Sequence, residues 1–286
     1  MNARFAWFAV LIVGGVWNTS AWAVEYRLEG SVAAYRWVED LGSRDDVKEF
    51  GPVLQLGGYV SGFPYISGSP SAAALTLRGD VRLLVGRVEF DTFNQDLLTG
   101  VLTPAKTHTS YIGFTQEGSV GLRQGGEGGY LEPFLGLGYR WWWRDVGSDT
   151  GYPEYYRLIY GRIGMRTEHG LSQTLKFRTT FSIDPLLWAR EQIDLTDFAY
   201  LDDRFAPAVL VEGQRVTVRN GRRSGWTLEA GLRQGSLDVA GYWHAVRLKE
   251  SNRVICYDSV QPLARRECWQ PHSNQDIFGL RVGVAF

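Results

Sequence analysis

Phe278-Gly279-Leu280-Arg281-Val282-Gly283-Val284-Ala285-Phe286 ends the chain, and its reading decides the fold. Phe278, Leu280, Val282, Val284 and Phe286 take every second position, with Gly279, Arg281, Gly283 and Ala285 between them. Successive side chains of a strand point to opposite faces, so this is a strand with one apolar face and one small or polar face. The same period recurs upstream. Trp226, Leu228, Ala230 and Leu232 alternate with Thr227, Glu229, Gly231 and Arg233, and Leu75, Leu77, Val81, Leu83 and Val85 oppose Thr76, Arg78, Asp80 and Arg82. Leu131, Leu135, Leu137, Tyr139, Trp141 and Trp143 alternate with Glu132, Phe134, Arg140, Trp142 and Arg144. Ten such segments can be placed: 25–37, 49–61, 73–91, 108–123, 130–144, 155–168, 171–183, 224–233, 236–249 and 274–286.

Alternation alone does not say which face is buried. Three features turn the apolar face outward. The segments mostly run 12 to 17 residues, whereas soluble strands average about five or six and a tilted membrane strand needs about 9 to 11. The nine connections hold 11, 11, 16, 6, 10, 2, 40, 2 and 24 residues. Long ones generally alternate with short ones, as external loops and periplasmic turns do in a membrane barrel with an even strand count; the second, 62–72, is the misfit. Aromatics gather near segment ends, at Tyr139, Trp141 and Trp143, at Tyr155 and Tyr156, and at Phe286, where an interfacial girdle belongs. Within the 40-residue connection, 209–212 and 215–219 read as a hairpin too short to cross, an external feature or a rim extension. Counting both arms as spans would make twelve strands instead of ten.

Composition agrees. The 286 residues are 14% aromatic with 34 Gly, a strand-rich profile. Lys plus Arg number 30 against 31 Asp plus Glu, so the basic excess of a nucleic-acid binder is missing. Mean hydropathy of -0.18 and the lack of a helix-spanning apolar run past the N-terminus exclude a polytopic helical membrane protein. Only four of the 30 basic residues are Lys. That bias suits enclosed, bidentate pairing.

Met1 to Arg4 supply a positive start, Phe5 to Val16 an apolar core of 12 residues, and Ala21-Trp22-Ala23 a small-x-small site. This predicts a signal peptide over 1–23, cleaved after Ala23, and an exported single domain over 24–286. Cys256 and Cys268 then lie in an oxidising compartment, where a disulfide is expected; two free thiols are the alternative.

The signal peptide, the alternating strands and the closing segment with its C-terminal Phe resemble those of bacterial outer-membrane β-barrel proteins. The resemblance implies an all-β, transmembrane, antiparallel up-and-down barrel of ten strands in a Gram-negative outer membrane. Its partners would be outer-membrane lipid, lipopolysaccharide and the barrel-assembly machinery, which reads the terminal strand. In size the chain resembles the omptin proteases and the Opc-type adhesins.

With the apolar face in lipid, the opposite face fills the lumen. It would carry Arg27, Glu29, Arg78, Asp80, Arg82, Glu117, Arg123, Glu132, Arg140, Arg144, Arg162, Arg166, Glu168, Lys176, Arg178, Glu229, Arg233 and Arg281. About eight strands leave an interior that side chains fill. Ten should therefore be closed by interlocked ion pairs bracing the wall, the alternative being a narrow, anion-preferring, porin-like path. In Arg140-Trp141-Trp142-Trp143-Arg144, Trp141 and Trp143 would anchor in the interface while Trp142 points inward for cation–π packing.

Catalytic candidates are few. No Asp-x-His or Asp-x-Asp occurs, although omptins need a carboxylate pair and an Asp-His couple. His108-Thr109-Ser110 puts a base and a nucleophile on one strand face beside outward Ile112 and Phe114, the spacing of outer-membrane lipid hydrolases. Tyr111-Ile112 follow where those enzymes have Asn-Gly. No metal cluster, phosphate loop or dinucleotide fingerprint is present, and no cofactor or nucleic-acid partner is expected. The reading is a non-enzymatic barrel for adhesion, surface binding or envelope integrity, working through loops 184–223 and 250–273. The alternatives are the narrow channel and a lipid hydrolase using His108 and Ser110.

Overall fold

The computed structural model describes residues 22–40, 47–64, 73–95, 102–126, 128–147, 153–194, 215–257 and 265–286. Its strands are β1 (Trp22–Asp40), β2 (Val47–Pro64), β3 (Ala74–Gln95), β4 (Leu102–Gly126), β5 (Gly129–Gly147), β6 (Pro153–Gly170), β7 (Leu175–Asp194), β8 (Arg215–Val218), β9 (Asn220–Arg222), β10 (Ser224–Gln234), β11 (Leu237–Ser251), β12 (Val254–Tyr257), β13 (Arg265–Cys268) and β14 (His272–Ala285). Antiparallel pairing runs from β1 through β7 and then to β10, β11 and β14, which returns to β1. The result is a closed ten-stranded up-and-down barrel. Closure pairs the backbone groups that a bilayer cannot hydrate.

All ten expected segments are present, most of them longer than alternation indicated; β4 reaches 25 residues and β7 continues through Pro185 to Asp194. A register shift between Ile159 and Tyr160, opposite Trp188 and Leu186, absorbs that proline at a bulge. β8 pairs with the last residues of β7, and β9 with the end of β11, so both extend the rim without adding a span. Arg215 to Val218 thus use β7 as partner; the other arm of the expected hairpin, 209–212, lies outside the described residues. The β4–β5 connection and the turns at 171–174 and 235–236 share the end that carries Trp22 and Phe286, here the terminal end; the opposite end is distal. Gly235, with φ 57°, supplies the left-handed residue that the tight β10–β11 turn requires.

The greasy face is outside. On the quoted strand Leu280 is 68% exposed and its neighbour Arg281 only 5%. The outward apolar belt ends distally at Val85, Ile112, Trp143 and Trp188, beyond which Arg87, Ser110, Asp145 and Arg190 follow on the same face. Inward glycines make room for rings: a Cβ on Gly279 would stand 2.6 Å from the Tyr242 ring, and Gly138 lies likewise beneath Tyr160.

The interior corrects one expectation. Ion pairs fill its terminal half, whereas its distal half sets one buried ion-pair cluster around Arg144 in an apolar and aromatic layer built from Ala33, Tyr35, Trp37, Val53, Val88, Tyr111, Trp142, Tyr156, Leu158, Leu186, Ala189, Val246 and Leu248. Past the belt the outer wall faces water, so the wall there behaves as a soluble barrel does and puts apolar side chains inside. Tyr156, expected in the girdle, is fully buried in this layer.

Candidate functional site

The lumen is built in three tiers. Nearest the terminal end, strand alternation brings charges from most strands to one level. Arg27 meets Glu25 at 3.0 Å and Asp238 at 2.9 Å, and Arg178 bridges Asp238 and Glu229. Arg281 links Glu229 to Glu29. Glu132 takes both Arg123 at 2.9 Å and Arg166 at 2.8 Å, while Arg233 reaches Glu25 at 3.2 Å. The Arg78 guanidinium lies 3.6 Å from the centre of the Tyr59 ring. Each carboxylate typically serves two guanidiniums, an arrangement for which the planar Arg fork is suited and Lys is not.

The middle tier surrounds a cavity of about 70 Å³, room for several waters. Six arginines line it: Arg78, Arg82, Arg140, Arg162, Arg166 and Arg281. Asp80 is forked by Arg78 at 2.7 and 3.1 Å and also touched by Arg82 at 3.1 Å. Arg162 is held by Glu117, Asp184 and Ser182, and Tyr160 donates to Glu117 at 2.6 Å. Arg140 donates to Thr115 and Gln275, both at 3.2 Å, and to His244. A smaller cavity of about 30 Å³ on the terminal side shares Arg78, Arg166 and Thr180 with the first.

The distal tier packs aromatic rings from β1, β5 and β6 against one another. Trp142 stacks on Tyr156 at 4.6 Å, and Trp37 meets both edge-on at 6.1 and 5.5 Å. Trp142, expected to pack against guanidinium, therefore packs against a phenol ring. Beside these rings Arg144 is gripped by Glu39 at 3.2 Å, Glu49 at 2.8 Å and Glu154 at 2.6 Å. Trp37 Nε1 donates to Glu39, Thr109 and Tyr111 donate to Glu49, and Tyr156 donates to Glu154. Glu191 and Asn220 complete the cluster. Distal to the apolar belt and wholly buried, Glu191 has its pKa pushed well above the usual carboxylate range by desolvation and by Glu154 and Glu39.

Of the residues singled out in the sequence, Arg78, Asp80, Arg82, Glu117, Glu132, Arg140, Arg162, Arg166, Glu229, Arg233 and Arg281 all face the lumen below the distal tier. Arg144 belongs to the distal cluster instead. Tyr139, Trp141 and Trp143 face outward, with Phe114 packed at 5.7 Å against both Tyr139 and Trp141, and Phe286 is exposed at the terminal end. His108 and Ser110 share the outward face beyond the belt, opposite Glu89 and Arg87 of β3. Among the described residues no hydrogen bond joins them, and no group of three or more His, Cys, Asp or Glu is placed to hold a metal. Cys256 and Cys268 lie on the paired strands β12 and β13, opposite Arg266 and Val254, two residues out of direct opposition; their side chains lie outside the described set. Sequence reading missed Glu39, Glu49, Glu154, Asp184, Glu191 and His244.

No protein-family model and no curated protein matches the sequence. Solved structures do. The outer membrane protease OmpT from Escherichia coli superposes with a TM-score of 0.54 at 10% identity, covering 94% of this chain and 99% of that one. The translocator domain of the autotransporter NalP from Neisseria meningitidis gives 0.39 at 11% identity over 99% and 95%. Neisserial surface protein A gives 0.29 at 9% identity over 91% and 97%. At such identities only the OmpT likeness bears on this chain, and it bears on the fold alone. The chain is a closed ten-stranded β-barrel of the kind found in bacterial outer membranes.

Proposed function

We propose that the protein is a sealed outer-membrane scaffold, not a pore, and that its work is surface binding, adhesion or envelope integrity at the distal rim. The observation that carries this reading is the distal tier: Trp37, Trp142 and Tyr156 interlock across the lumen beside an Arg144 held by three carboxylates. A conducting path would have to break both. Below it the charges are largely neutralised in place, which braces the wall rather than offering mobile ions a route. The rim itself is raised by β8 and β9, a rigid base on which the adjoining loops stand. In planar bilayers the purified barrel is expected to leave the membrane current flat, and discrete anion-selective steps would return the lumen to the porin-like alternative.

Export completes the proposal. The mature chain begins at Val24 inside β1, and Cys256 and Cys268 tie the β12–β13 hairpin by a disulfide. The intact mass of the exported protein is expected to match residues 24–286 less two hydrogens. A mass retaining residues 1–23 removes the cleavage, and full alkylation without reductant removes the bridge.

A further inference from the structure

Among the described residues, charge in the lumen does not balance. Among the described residues below the distal tier, Arg27, Arg78, Arg82, Arg123, Arg140, Arg162, Arg166, Lys176, Arg178, Arg233 and Arg281 face inward. Against these eleven stand nine acids: Glu25, Glu29, Asp80, Glu117, Glu132, Glu168, Asp184, Glu229 and Asp238. Buried positive charge without a matching carboxylate is costly unless a counter-ion accompanies it.

One guanidinium without a described carboxylate partner stands at the central cavity. Arg140 is 9% exposed and its described partners, Thr115, Gln275 and His244, include no carboxylate. The imidazole there is neutral on hydrogen-bond grounds. Thr227 Oγ1 donates to Asp184 at 2.8 Å and so accepts from His244 Nδ1 at 3.0 Å, which leaves Nε2 to accept from Arg140. Three of the five guanidinium N–H groups of Arg140 are thereby used. Arg82 shares Asp80 with Arg78 and keeps a buried Nε without a partner, and the buried Trp142 Nε1 also has none. All three residues line the same cavity.

Buried donors lacking acceptors, around a space with surplus positive charge, define a receptor for an anion. We propose that the central cavity binds a small monovalent anion, held by Arg140 with Arg82 and Trp142 and admitted from the terminal end past Arg78 and Arg166. The site binds without passing its ligand on, because the distal tier lies above it. It therefore does not depend on which task the rim performs.

Bromide is the probe. In crystals of the full barrel soaked in sodium bromide, the anomalous signal is expected in the cavity, within hydrogen-bond distance of Arg140. It should vanish in Arg140→Gln and weaken in Trp142→Phe, which removes one unpartnered N–H and leaves every ion pair in place. If Arg140→Gln does not fold, Trp142→Phe alone decides. An empty or water-filled wild-type cavity with bromide bound elsewhere overturns the site, as does a signal undiminished in the variant that decides.

Discussion

Arg144→Met is expected to remove about 3–5 kcal/mol of barrel stability, read as a lowered midpoint for urea unfolding from lipid vesicles. The guanidinium is the described positive partner of Glu39, Glu49 and Glu154, at 2.6 to 3.2 Å, and none of the four is appreciably hydrated. Removing it leaves three carboxylates facing one another in a low-dielectric layer. Arg144→Lys separates charge from geometry. A point ammonium keeps the cation but loses the fork by which Nε and Nη2 both reach Glu49 Oε1, so its loss should be intermediate. A midpoint unchanged in Arg144→Met would mean that the cluster is hydrated and holds nothing together.

Trp37→Ala is expected to be of similar size, about 3–5 kcal/mol for a fully buried indole. Trp37 has no exposure, packs edge-on against Trp142 and Tyr156, and donates its N–H to Glu39. Truncation therefore opens a void in the apolar layer and strips a hydrogen bond from one of the Arg144 carboxylates. The Arg144 and Trp37 losses should not add, since both residues act on Glu39. A double variant losing the full sum would show the aromatic layer and the carboxylate cluster to be independent.

Strand existence, order and facing were legible in the sequence, and the reason is physical. Within the lipid belt the rule is simple: lipid outside demands apolar side chains on one parity, so Leu280 and Arg281 or Leu83 and Arg82 declare their faces. The terminal and middle tiers follow at once from that parity. Above the belt the rule inverts, since water outside permits Arg87 and Glu89 there while Val88 and Phe90 turn inward. Reading the greasy parity as lipid-facing along whole strands therefore hid the distal tier and put Tyr156 in the girdle. Glu49 lay at the edge of its segment and Glu154 just outside its own, and Pro185 ended β7 early, taking Asp184 and Glu191 out of view. His244 shares the inward parity of Ala240 and Tyr242, but only the closed barrel brings it between Arg140 and Thr227. That the lumen is positive was legible too, since its inward list holds more Arg and Lys than acids; what parity did not give is that Arg140 stands at the cavity with no carboxylate among its described partners.

The claim on which the rest depends is that the distal tier seals the barrel. Paired single-channel recordings of the wild type and Trp37→Ala, reconstituted at equal density, test it most directly. A silent wild type is expected, with brief, small steps in the variant, whose aromatic closure is breached. Steady, discrete steps from the wild type, unaffected by the substitution, would contradict it.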